Sequence, residues 1–176
     1  MKKNLVVYYS NNGSNRFLAN QIATQLNSEI EEIKPVLNAH LLMLMGIGLG
    51  NRRLKKNVKE YDRIILTGPI WMGKFIYPLK KFVNKYGKDI SELVFVTCCG
   101  SSYEMKDEKF GHGLVFNKLR ELLPDKKVEC TALPITLVVP DDKKEDGKTV
   151  METRLNDENF KGEIAERFEK FMVSLS

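Results

Sequence analysis

The sequence has few of the residues that define several large protein classes. It contains only three cysteines and two histidines, with no Cys-x-x-Cys pair and no histidine cluster, so neither a disulfide framework nor a metal site is indicated. Its longest mostly apolar stretch, residues 39–49, is much shorter than the ~20 residues that cross a bilayer. The apolar run at residues 5–9 is too short for a signal peptide. We therefore expect a cytoplasmic protein without a membrane span.

The composition is that of an ordinary globular chain. Of its 176 residues, 43% are hydrophobic and 29% are charged, and there is no internal repeat. Such a length and composition can bury one substantial core, and they exclude a disordered or collagen-like chain. We predict a single domain covering residues 1–176.

Short apolar runs alternate with segments of helical periodicity. The runs that predict strands are residues 5–9, 29–33, 63–68, 93–99 and 128–139, the last either continuous or interrupted at Pro134. Helices are predicted by the spacing of Leu18, Ile22 and Leu26, of Leu79, Phe82, Val83 and Tyr86, of Val115, Leu119 and Leu122, and of Phe160, Ile164, Phe168 and Phe171. Asn156 and Asp157 are the predicted caps of the last helix. The alternation predicts a doubly wound α/β fold with a parallel sheet covered by helices on both faces.

In such a sheet, ligands bind beyond the carboxyl ends of the strands, so the loops after the first, third and fourth strands are candidate binding loops. The first, Ser10 to Asn15, places small polar residues around Gly13 directly before a helix, whose unpaired N–H groups suit a phosphate. It lacks the lysine of a P-loop, which excludes a nucleoside triphosphatase of that type. A plain turn capped by Ser14 or Asn12 is the alternative.

The second and third loops add aromatic and small polar groups. Residues 68–73 contain the only tryptophan, Trp71, which could stack on a planar ligand or simply cover the end of the core. Residues 97–103 are small and polar, and Tyr103 could supply a second aromatic contact.

All three loops, in this order, resemble those of the flavodoxin family. Residues 10–15 are similar to its phosphate loop, usually written Thr/Ser-x-Thr-Gly-x-Thr. Tyr61-Asp62, Ile65, Gly68, Pro69, Trp71 and Gly73, with the later Pro78, resemble its second signature, and residues 97–103 resemble the loop around the flavin ring. The resemblance implies a five-stranded sheet of order 2-1-3-4-5 and noncovalent binding of flavin mononucleotide (FMN). The implied cofactor-binding residues are Ser10, Asn12, Gly13, Ser14, Asn15, Pro69, Ile70, Trp71, Met72, Gly73, Thr97, Cys98, Cys99, Gly100 and Tyr103.

Three functions follow from this resemblance. The chain could be an electron carrier that passes electrons between redox partners, or an FMN-dependent reductase that transfers hydride from NAD(P)H to a quinone-type acceptor. The absence of a separate nicotinamide-binding domain favours the carrier, whereas an apolar segment near residue 45 could form an acceptor site. The third alternative is a flavodoxin fold that has lost flavin binding, because Asn12 and Asn15 stand where the family has hydroxyl residues.

Other candidate sites have simpler explanations. Cys98 and Cys99 end a predicted buried strand, where cysteine is a small apolar residue, and adjacent cysteines pair only with strain. Gly46-Ile47-Gly48-Leu49-Gly50 does not follow a first strand as a dinucleotide fingerprint does. His40 and His112 are predicted to be structural or surface residues rather than a catalytic pair.

The net charge of +5 has a local origin. Residues 51–59 contain five basic and no acidic residues, which leaves the remainder of the chain at 23 − 23 = 0. Next to the uncharged stretch before it, this forms an apolar-basic segment at residues 39–59. The segment could contact an anionic membrane surface, a quinone-like substrate or an acidic redox partner, or it could be an extended helix with a solvated end. A single basic cluster without interleaved aromatic residues does not indicate nucleic-acid binding.

Overall fold

A computed structural model describes residues 2–36, 50–100 and 111–175. Its central sheet has five parallel strands in the spatial order β2-β1-β3-β6-β7, and a separate hairpin pairs β4 with β5. The strands are β1 (Asn4–Tyr8), β2 (Glu29–Glu32), β3 (Arg63–Thr67), β4 (Ile70–Trp71), β5 (Lys74–Phe75), β6 (Glu92–Cys99) and β7 (Lys127–Pro134). Counting only the sheet strands, this is the predicted order 2-1-3-4-5, which is confirmed.

Helices cover both faces of the sheet, as the sequence predicted. They are α1 (Ser14–Gln25), α2 (Tyr77–Tyr86), α3 (His112–Leu122), α4 (Gly147–Glu152) and α5 (Glu163–Leu175). One apolar layer joins the sheet to α2 and α3, and the other joins it to α1 and α5. The α/β fold class is therefore confirmed.

The middle strands are apolar because both of their faces are covered. Ile64 and Leu66 of β3 belong to one layer and Ile65 to the other, and all three have no exposed surface. Side chains alternate between the faces of a strand, so a strand buried on both sides needs a continuous apolar run. This is the pattern that makes β3 and β6 visible in the sequence.

The carboxyl-terminal third differs from the prediction. Strand β7 ends at Pro134, the alternative in which the predicted run is interrupted there, because the chain enters a 3₁₀ turn at Ile135–Val138. Helix α5 begins at Glu163, so the predicted capping by Asn156 and Asp157 is wrong. Asn156 instead accepts hydrogen bonds from the N–H groups of Glu158 and Asn159 at 3.0 and 3.1 Å, which closes a separate turn.

The basic part of the apolar-basic segment is not helical between residues 50 and 57. Asn51 forms an antiparallel bridge with Pro35, and a 3₁₀ turn follows at Val58–Glu60. The extended-helix interpretation is therefore wrong for these residues. Residues 39–49, which include His40 and most of the glycine run from Gly46, lie outside the described residues.

Within the described ranges, no helix is both long enough and apolar enough to cross a bilayer.

Candidate functional site

A cleft of about 450 Å³ lies at the carboxyl edge of the sheet. This volume falls within the roughly 300–1,000 Å³ of small-molecule sites. The loops after β1, β3 and β6 form three of its walls, and the connection from β7 to α5 forms a fourth. The lining residues are Asn11, Asn12, Ser14, Asn15, Pro69, Ile70, Trp71, Met72, Cys98, Cys99, Gly100, Ile135, Val150, Met151, Thr153 and Arg154.

The first loop brings the amino terminus of α1 to the wall of the cleft. Gly13 adopts a left-handed φ of 99° at the N-cap, where it provides no side chain to cap the helix. The first helical hydrogen bond runs from Phe17 N to Gly13 O at 2.8 Å, so the N–H groups of Asn15 and Arg16 have no acceptor inside the helix. Such groups form the positive end of a helix and favour an anion.

Side chains of the first loop hold the loop itself. Ser10 Oγ accepts a hydrogen bond from Gly13 N at 3.1 Å, and Asn12 Oδ1 accepts one from Ser14 N at 3.2 Å. Ser14 Oγ accepts one from Leu155 N at 3.2 Å, and the Asn15 carboxamide bonds to the backbone of Cys98. These four predicted binding residues therefore fix the loop's conformation, and the N–H groups of Asn15 and Arg16 are left without a backbone acceptor.

The second loop is the hairpin of β4 and β5. Its turn residues, Met72 and Gly73, have φ values of 48° and 66°, and the Met72 side chain is 77% exposed. Trp71 lines the cleft and also meets Tyr9 edge to face, with ring centroids 6.4 Å apart. It therefore covers the end of the core and supplies a cleft wall at the same time.

Gly68, which directly precedes this hairpin, serves packing rather than the cleft. A Cβ placed on Gly68 would lie 2.7 Å from Leu79 Cδ1 of α2, closer than real Cβ contacts allow. The glycine therefore lets α2 approach the end of β3.

The third loop begins at the buried end of β6. Cys98, Cys99 and Gly100 line the cleft. Burial raises the pKa of the Cys98 thiol far above its usual range, with the neighbouring Cys99 adding to the shift and the Ser14 side chain opposing it. None of the three cysteines, all of them in described ranges, forms a disulfide. The Cys98 side chain is thus a neutral, apolar part of the wall at neutral pH.

Ten of the predicted binding residues line the cleft, and four others among the described residues do not. Ser10, Gly13 and Gly73 shape the loops without lining it, Thr97 is fully buried, and Tyr103 lies outside the described residues. His112 begins α3, where its ring lies 5.3 Å from that of Phe116, and it does not line the cleft.

The fourth wall of the cleft was not predicted from the sequence. Ile135, Val150, Met151, Thr153 and Arg154 follow β7 and face the first and third loops across the cleft. The sequence contains a weak signal for the short helix in this wall, because Asp146 is a residue type that caps helices. Its carboxylate caps α4 by accepting hydrogen bonds from Lys148 N at 3.0 Å and Thr149 N at 3.3 Å.

Comparisons with known proteins agree with this architecture. Residues 47–133 match the sequence model of a flavodoxin domain. No curated protein matches the sequence closely enough to count as a relative.

Several solved structures share the fold. A candidate flavoprotein from Bacteroides eggerthii superposes with a TM-score of 0.62 at 19% identity over 76% of this chain and 89% of its own. A flavoprotein from Lactobacillus acidophilus, solved in complex with FMN, gives 0.59 at 20% identity over 84% and 98%. Oxidised flavodoxin 2 from Bacillus cereus gives 0.50 at 18% identity over 98% and 96%. The strand order, the loops at the carboxyl edge and the matching domain model together identify the fold of this chain as flavodoxin-like.

Proposed function

We propose that this protein binds FMN noncovalently in the cleft and serves as an electron carrier. The observation that carries the proposal is the placement of two chemically different groups along one cleft. The open amino terminus of α1 suits a phosphate, and Trp71 offers an aromatic face to a planar ring. FMN contains a phosphate and a flat ring system joined by a polar chain, so it matches both ends.

The donor set of the first loop fits a phosphate. The N–H groups of Asn15 and Arg16 are open, and the asparagines at positions 12 and 15 use their side chains to hold the loop rather than to contact a ligand. The absence of hydroxyl groups at these two positions therefore does not remove the donors that matter. This weighs against the alternative in which the fold has lost flavin binding.

When bound, FMN supplies reversible electron uptake, which no side chain of the cleft could provide. The roles of the chain are to bind and to shield. Trp71 and Met72 form the apolar side of the cleft, and the buried end of β6 with Cys98 forms its floor. A ring held there would be partly removed from water.

The chemistry of the lining favours a carrier over a reductase. Among the described lining residues there is no carboxylate, histidine or lysine, and the Cys98 thiol stays protonated at neutral pH because burial raises its pKa. Electron transfer needs no side chain that moves a proton. A reductase could recruit the apolar residues 39–49 as an acceptor site, and it remains the second candidate because of that stretch.

The proposed partner is a redox protein with an acidic surface, or a small electron acceptor. Arg52 N donates to Lys34 O at 2.8 Å, which places Arg52 and Arg53 beyond the carboxyl end of β2, at the same edge as the cleft. Lys56 and Lys59 are instead paired with Glu29 and Asp89. Arg52 and Arg53 have no ion-pair partner among the described residues and are free to meet acidic groups.

The colour and turnover of the purified protein test this function. We expect a yellow protein that loses its colour on addition of a chemical reductant. With NADPH alone, we expect no continuous oxidation of NADPH. Steady NADPH oxidation on addition of a quinone would establish the reductase instead. A colourless protein whose melting temperature is unchanged by excess FMN would contradict both.

The stacking role of Trp71 can be measured separately. Trp71→Ala should weaken FMN binding by more than ~1 kcal/mol, whereas Trp71→Phe, which keeps an aromatic face, should weaken it less. Equal affinities in the parent and both variants would show that Trp71 only covers the core.

A further inference from the structure

The fourth wall of the cleft is the connection between β7 and α5, and it is tied to both neighbouring loops. Leu155 N donates to Ser14 Oγ at 3.2 Å, which fixes the end of this connection against the amino terminus of α1. Val150 Cγ1 lies 3.5 Å from the position of a Cβ on Gly100, so α4 packs against the third loop. Leu155 is 4% exposed, which shows that the connection is anchored in the core.

Arg154 is the only charged side chain among the described residues that line the cleft. Its Nη1 donates to the carbonyl oxygens of Met151 and, at 2.8 Å, Thr153, and its own carbonyl accepts from Asn159 Nδ2, also at 2.8 Å. The position of the guanidinium group is therefore defined by the backbone around it.

The guanidinium group of Arg154 also has N–H donors that are not used in these hydrogen bonds. Its Nε and Nη2 hydrogens bond to no acceptor among the described residues, and no described carboxylate lies within ion-pair distance. Arg154 is partly buried, and a partly buried cation without an anion is unfavourable. The bonds to Met151 and Thr153 neutralise none of its charge.

The neighbour of Arg154 across the cleft is the anion-favouring end of α1. Arg154 directly precedes Leu155, whose N–H contacts Ser14, and Asn11 and Asn12 line the same cleft. Planar guanidinium groups bind phosphate oxygens with two parallel hydrogen bonds. Because Arg154 and Asn15 line the same cleft, the unused donors of Arg154 are available to an anion held by the N–H groups of Asn15 and Arg16.

We infer that Arg154 and the connection that carries it form a phosphate-selecting wall, which makes the cleft prefer phosphorylated flavins over flavins without a phosphate. The inference rests on the proposed FMN site and adds the residue that sets its selectivity. FMN and riboflavin share the ring and the polar chain and differ only in the phosphate. The ratio of their affinities therefore reports the contact between the phosphate and Arg154.

The test compares FMN and riboflavin as ligands of the full chain, freed of bound flavin, by the change in flavin fluorescence on titration. The parent should bind FMN more tightly than riboflavin. Arg154→Ala should lower FMN affinity by about 10-fold to 100-fold, as expected for loss of a charged hydrogen-bonding partner, and leave riboflavin affinity almost unchanged. Lys148→Ala removes the same charge from the exposed side of α4 and should change neither affinity.

Arg154→Gln, which keeps much of the side-chain length, gives a second measurement if the alanine variant is poorly folded. A ratio of FMN to riboflavin affinity that stays the same in both variants would overturn the inference, as would a parent that binds the two ligands equally. A parent that binds neither ligand would instead contradict the proposed function, so the two failures are distinguishable.

Discussion

The side chain of Asn15 pairs with the backbone of Cys98 in both directions. Asn15 Oδ1 accepts from Cys98 N at 2.8 Å, and Asn15 Nδ2 donates to Cys98 O at 3.0 Å. Asn15 is 1% exposed, so both bonds are buried. They join the first turn of α1 to the end of β6 and thereby hold the first and third walls of the cleft in one arrangement.

Asn15→Ala should destabilise the protein by about 2–4 kcal/mol, because a buried N–H and a buried carbonyl would both lose their partner. Urea unfolding measures this change. Asn20→Ala, at an exposed position of the same helix, is the matched control and should lie within about 0.5 kcal/mol of the parent. If both variants unfold at the same urea concentration, the pairing contributes no stability.

Gly68→Ala should destabilise the protein by about 1–3 kcal/mol, because its Cβ would overlap Leu79. Thermal unfolding measures the loss, and the double variant Gly68→Ala/Leu79→Ala should cost less than the sum of its single changes. Gly147→Ala is the control, since a Cβ there meets nothing within 4 Å. Strict additivity in the double variant would refute the contact.

Glu92→Gln should destabilise the protein most at neutral pH. Glu92 is 6% exposed and pairs with Arg63 at 3.0 Å, while Lys2 and Lys127 also approach it. Burial alone would raise the pKa of Glu92, but the hydrogen bond from Lys2 and the charges of Arg63, Lys2 and Lys127 outweigh burial and lower it.

The lowered pKa of Glu92 fixes the direction of the pH effect. Its carboxylate contributes stability above the unfolded pKa of about 4.5, and that contribution is lost as the pH falls through the lower folded value. At pH 7 the free energy of unfolding of Glu92→Gln, measured in urea, should be about 3–5 kcal/mol lower than that of the parent. This difference should shrink steadily below pH 4.5. The exposed Glu166→Gln is the control, and a pH-independent loss at position 92 would contradict the prediction.

The thiol of Cys98 should react slowly with a thiol reagent at pH 7.5 in the folded state. Burial raises its pKa, and that of Cys130 rises to about 11 for the same reason, so neither forms much thiolate. The rate of each is measured by peptide mapping after timed labelling, with the urea-unfolded chain as the control. Labelling of Cys98 at the unfolded rate would show that the end of β6 opens readily.

The sequence predicted the fold well because the decisive signals are local. The apolar runs of β1, β3 and β6 and the helical spacing of Leu79, Phe82 and Val83 are each contained in a few residues. The positions of three cleft walls could be predicted from these strands, since the loops that follow parallel strands meet at one edge of the sheet.

The fourth wall could not be predicted in this way. Residues 140–154 are rich in charge and resemble a solvated loop, and only the long-range contacts of Val150 and Leu155 show that they face the cleft. The role of Asn15 was also hidden, because its partner Cys98 is 83 residues away. The late start of α5 reflects Gly162, whose φ of 64° redirects the chain after the Asn156 turn.

The edge strands of the sheet have a consequence for self-association. Strand β2 contains three glutamates in four residues, Glu29, Glu31 and Glu32, and it is the terminal strand of the sheet among the described residues. Residues of the basic segment lie beside this strand: Lys55 N and Lys56 N donate to the Glu31 carboxylate, and Lys56 Nζ pairs with Glu29. The glutamates of β2 thus hold a neighbouring segment of the same chain beside the edge of the sheet, where it stands in the way of a strand from a second molecule.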